Sequence, residues 1–129
     1  MDNKKLTIEA LFSDSGPFDE DAAVRSLLPF VVIQKPDYGI FFKDAKLSAE
    51  RKILAYGLAK SLLKRKGLVE EGTITAQEVY EKTGLKKGTI DPNFKRLKDA
   101  GLLSGKGDYE IPAYKIQEVI DMINKEVAE

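Results

Sequence analysis

Seven residues of this chain have side chains and spacing suited to holding a polyanion: Lys86, Lys87, Thr89, Asn93, Lys95, Arg96 and Lys106. Lys and Arg neutralise phosphates whatever bases those phosphates join, and a hydroxyl such as that of Thr89 can bond a phosphate oxygen. Thr89 is equally suited to capping its own helix. Asn93 and Arg96 are of the types that make paired hydrogen bonds to base edges, Asn to adenine and Arg to guanine. Between Lys82 and Lys106 lie seven cations against Asp91 and Asp99, a local excess of five in a chain of zero formal net charge. Concentrated charge, more than the total, marks a surface for phosphate. The first long helical stretch adds Lys52, Lys60, Lys64, Arg65 and Lys66. Acidic Glu118, Asp121, Glu126 and Glu129 near the C-terminus are expected to face away from such a partner. The same lysines would also serve as plain solvated surface.

Other chemistries are excluded by what is missing. The chain has neither Cys nor His, which removes zinc sites, thiol nucleophiles and Ser-His-Asp catalysis. Gly105-Lys106-Gly107 lacks the upstream glycine spacing of a phosphate loop, and no paired-acid or nucleophile-elbow motif is present. The expectation is a protein that is not an enzyme and needs no cofactor, metal or small-molecule ligand. Asp19, Glu20 and Asp21 could gather a cation, but a helix N-terminus uses the same residues as cap and dipole partners. The start of the chain lacks the apolar run of a signal peptide, and residues 27–33 are too few to span a bilayer. A cytoplasmic location without a membrane partner is expected, and the lack of Cys agrees with a reducing compartment.

Two helices have to hold the cations outward. Residues 75–103 read as two short amphipathic helices joined by a turn at Gly84-Leu85, an order that can set the second helix in a DNA groove. Thr75-x-x-Glu78 is a capping box. Ile90, Phe94 and Leu97 form the inward face of the second helix, within about residues 87–100. Pro92 disfavours a helical Asp91, so a late start is expected, with Asp91 as N-cap and Pro92 in first position. Tyr80 stands four residues before the turn glycine, so the crossing of the two helices is either wide or edged by its ring. Leu102-Leu103 and Tyr109-Glu110-Ile111 flank a glycine-rich loop, which predicts a hairpin over residues 103–111.

The flanking sequence predicts the support. Asp19 caps a helix that Pro29 ends. Residues 30–34 and 39–43 are β-branched or aromatic runs around the turn residues Lys35-Pro36-Asp37-Tyr38, a hairpin pattern. Ser48 caps the longest helix, to about Lys66, with Ile53, Leu54, Leu58, Leu62 and Leu63 as one stripe. Thr73-Ile74 suggests a short strand. Pro112 opens a last helix with Ile116, Val119, Ile120, Ile123 and Val127 on one side. The expected class is α+β, mainly α. Residues 1–18 form an N-terminal extension, and 19–129 a single domain: helix plus hairpin (19–46), a central part (47–111) and a closing helix (112–129). The 129 residues, 43% apolar, are enough for one such core.

Thr75, Glu78 and Val79, the Gly84-Leu85 turn, Thr89-Ile90, Phe94, Leu97 and the Gly101-Leu102-Leu103 exit together make residues 47–111 resemble the winged helix-turn-helix superfamily of transcription regulators. The resemblance implies that fold with an added N-terminal helix and β-hairpin and a C-terminal helix. It also implies duplex DNA as partner, the helix after the turn in the major groove, the 103–111 wing on adjacent backbone, and a role in regulating transcription. Gly88 and Pro92 depart from the pattern, since such regulators usually carry polar readers at those outward positions. The resemblance also allows a winged-helix interaction module without DNA. Tyr38, Phe41 and Phe42 would anchor a protein partner there, unless they pack the hairpin onto the long helix. Finally, the C-terminal stripe could pair two copies as a homodimer, or pack back on the long helix.

Overall fold

Asp19 accepts a hydrogen bond from the Ala22 amide (3.1 Å) and starts α1, Glu20–Leu27, as its short acceptor side chain predicts. In the computed structural model, which describes residues 19–43 and 47–128 with side chains to residue 125, ten elements follow in order from this cap. The readings of residues 1–18 and of the Val127 side chain lie outside the described residues. β1 (Val31–Gln34) and β2 (Gly39–Phe42) pair antiparallel, Val31 opposite Phe42 and Ile33 opposite Ile40. α2 (Ala49–Arg65) begins at Ser48, whose hydroxyl accepts from the Arg51 amide at 3.3 Å.

α2 differs from its expected form. Instead of one apolar stripe it buries every residue from Ile53 to Ala59. Ala55, Gly57 and Ala59 are small enough to let other elements close over the faces that the large residues leave. α2 accordingly contacts α1, α3 (Ala76–Thr83), α4 (Lys87–Asp99) and α5 (Ile116–Ala128). A helix surrounded on all sides loses the polar face that a surface helix shows.

After Pro112 a 3-10 turn, Ala113–Lys115, leads into α5. Ile116, Val119, Ile120 and Ile123 are all buried, and α5 packs on α1 and α2 of its own chain. Arg51 Nε donates to the Met122 carbonyl at 2.7 Å and ties α2 to α5. The stripe that could have joined two copies is therefore used inside one, and a homodimer through it would require opening this core.

A second two-stranded antiparallel sheet, β3 (Ser104–Lys106) and β4 (Asp108–Glu110), turns at Gly107. The expected Thr73-Ile74 strand is reduced to a single bridge, in which Ile74 and Tyr109 exchange backbone hydrogen bonds of 2.7 and 2.8 Å. The whole is α+β and mainly helical. Among the described residues no helix is long and apolar enough to cross a membrane.

Candidate nucleic-acid interface

The cationic segment is positioned by α3 and the turn after it. Thr75 Oγ1 accepts from the Glu78 amide at 3.1 Å, half of the expected capping box. The other half is absent because the Glu78 carboxylate is drawn inward. One of its oxygens accepts from the Tyr56 hydroxyl at 2.6 Å and from Lys60 Nζ at 2.8 Å. At the far end, Thr83 Oγ1 donates to the Val79 carbonyl (2.6 Å) and accepts from the Leu85 amide (3.1 Å). Between them Gly84 takes φ 79°, the left-handed cap in which glycine avoids the Cβ strain of other residues.

α4 then runs from Lys87 through Pro92 without a break, so the expected late start at Asp91 is not what forms. Ile90 is buried one helical turn ahead of Phe94, and both inward side chains are held only if residues 90–94 are helical. Core packing overrides the local bias that proline places on Asp91. The N-cap, Lys86, makes no side-chain capping bond, and no acid stands in the first turn. Phe94 and Leu97 complete the inward face, and the Phe94 ring packs on Tyr109 with centroids 4.8 Å apart and planes 53° apart.

Six of the seven candidate residues are exposed: Lys86, Lys87, Thr89, Lys95, Arg96 and Lys106. Thr89 makes no cap, since the N-cap lies three residues earlier. The exception is Asn93, 7% exposed. Its amide donates to the Thr89 carbonyl at 2.7 Å and its Oδ1 accepts from the Arg96 guanidinium. Asn93 stands one helical turn before Leu97, so the phase that buries Leu97 turns Asn93 inward too, and it cannot present its amide to a base.

The exposed cations are arranged differently from a single ridge. At about 100° per residue, Lys87, Lys95 and Arg96 fan over about half the helix circumference. Lys87 Nζ sits 5.5 Å from the centroid of the Tyr80 ring. Tyr80 therefore edges the α3–α4 crossing as a platform for this lysine, an attraction of about 0.5–1 kcal/mol at an exposed site. Lys95 faces Asp99 at 3.9 Å, and Arg96 faces Glu50 near the start of α2 at 3.5 Å. Lys106 closes β3 at the hairpin tip. Between α4 and this hairpin lies an open cleft of about 500 Å³, bordered by Lys95 and Lys98 but equally by Asp91 and Asp99, with Phe94 and Tyr109 in its wall.

Three cations of α2 and its C-cap are engaged away from this surface, while Lys64 and Arg65 border a cleft with Glu110 of β4. Lys60 pairs with Glu78, Lys52 lies 5.7 Å from the Phe42 ring centroid, and Lys66 faces Glu20 at 3.5 Å. The N-terminal acids are likewise engaged, Asp19 as cap and Asp21 with Arg25 at 2.6 Å. Among the described residues no three His, Cys, Asp or Glu converge as metal ligands would. The Tyr56–Glu78–Lys60 cluster went unread in the sequence. Its one signal is that Tyr56 and Lys60 stand four apart on one helix and so share a face.

Of the aromatic residues in the first hairpin, Tyr38 and Phe42 are half-buried against the core, while Phe41 is exposed opposite Val32. No protein-family model, no curated protein and no solved structure matches this chain.

Proposed function

We propose that this chain is a winged helix-turn-helix protein that binds duplex DNA without catalysing a reaction, with α4 at the major groove and β3–β4 as the wing. One observation carries the reading. Ile90, Phe94 and Leu97 lock one side of α4 into the core, so the opposite side faces outward between an uncapped, lysine-flanked N-terminus and the hairpin that carries Lys106. Such a helix end favours anions through its free amides and dipole, and its lysines add charge. Regulation of particular genes would further require α4 to choose among sequences.

Binding of a labelled duplex as a function of salt tests the proposal. If Lys86, Lys87, Lys95 and Lys106 each meet a phosphate, affinity falls about a hundredfold for a fourfold rise in salt. Replacing these four by Ala should flatten the salt slope by about three to four, while the melting temperature falls by no more than about 5 °C from the lost Lys87–Tyr80 and Lys95–Asp99 contacts. No complex with any duplex at low ionic strength would overturn the reading.

A protein-interaction role has its own support. Val24, Leu28 and Ile33 are exposed around an apolar groove of about 200 Å³ between α1 and β1. Clustered apolar surface of this kind marks partner sites. Partner capture that survives conversion of the α4 lysines to Glu would favour this second reading.

A further inference from the structure

We infer that α4 holds duplex DNA through its phosphates and does not select among base sequences, an inference that rests on the DNA-binding reading above. Direct readout needs side chains that reach base edges with paired donors and acceptors from the exposed face of the groove helix. Here that face is depleted in four separate ways. Asn93, the residue suited to adenine, is buried and bonded to the Thr89 carbonyl. Arg96, the residue suited to guanine, is turned to the α2 flank, where Glu50 and Asn93 hold it.

Gly88 and Pro92, in the middle of the outward arc, have no side-chain donor or acceptor. Space does not impose the glycine, because a Cβ at Gly88 would meet nothing within 4 Å and its φ is not positive. The last depletion is electrical. Lys95, left as the outward cation nearest the helix centre, shares the cleft with Asp91 and Asp99. Those carboxylates oppose deep entry between two phosphate walls. Attraction is concentrated instead at the edges, in Lys86 and Lys87 at the uncapped helix start and Lys106 on the wing, positions suited to phosphate.

Selection from a random duplex library, run beside direct affinity measurements on A·T-only and G·C-only duplexes, tests this. The expected result is binding with no enriched motif and affinities that agree within about threefold, against the ~10³–10⁷ preference of specific binders. Arg96→Ala should leave the composition of the bound pool unchanged. An enriched motif, above all one containing guanine that Arg96→Ala erases or cytosine that Asp91→Ala erases, would overturn the inference while keeping the DNA-binding reading. Failure to bind any duplex in the direct measurement would remove both.

Discussion

The Tyr56 hydroxyl is buried and donates to Glu78, a hydrogen bond to a charged acceptor worth about 2 kcal/mol. Burial, and then the bond to Glu78, raises its pKa well above the ordinary tyrosine value. A group raised in this way keeps its proton more firmly in the folded state than in the unfolded chain. Its contribution is whole below about pH 10 and drains away as pH climbs from there toward the folded value. Tyr56→Phe should therefore lower unfolding free energy by about 2 kcal/mol at neutral pH. Urea titrations repeated above pH 10 should show a shallower decline for the variant than for the parent. An equal decline in both would dissociate Tyr56 from the alkaline loss. Sequence placed Thr75 and Glu78 correctly at the helix start but not the direction of the carboxylate, because its partners stand 22 and 18 residues earlier, on another helix. Asn93 is legible by phase, since its spacing to Leu97 sets it on the inward face although its side chain is of a type suited to a base edge.

Two glycines in the α3–α4 unit should respond to the same substitution with opposite sign. Gly84 sits in the left-handed region with open space around it, so Gly84→Ala introduces strain alone, about 1 kcal/mol of destabilisation. Gly88 has ordinary helical backbone and open space, so Gly88→Ala should stabilise by about 0.5–1 kcal/mol. Chemical denaturation of the two variants would decide, and a stabilised Gly84→Ala would contradict the assigned turn. The helix starts at Asp19, Ser48 and Thr75 were legible because capping is local chemistry between residues three apart. The path through Pro92 was not, since it is set by Ile90 and Phe94 reaching a core built from distant segments. The enclosure of α2 was hidden for a like reason. Periodicity reports which residues are apolar, whereas Ala55, Gly57 and Ala59 become interior only when neighbours arrive.

The molecule is organised around α2, with α1, α3, α4 and α5 against it, so damage to the shared core should be felt everywhere. Ile120 is 1% exposed where α5 meets this core. Ile120→Asp should cost at least about 4 kcal/mol, from lost burial and an unpaired buried charge. Circular dichroism and sedimentation would separate this from an interface effect: global unfolding is expected, and a folded protein altered only in oligomeric state would refute the packing. The amphipathic stripe of α5 was plain in the sequence, but a stripe does not say which surface covers it. Tyr109 has a consequence of another kind. Its backbone is fastened to Ile74, ahead of α3, and its ring lies on Phe94 of α4, so hairpin and helix cannot swing apart independently. They form a jaw whose gape is set by the core that holds Ile74 and Phe94.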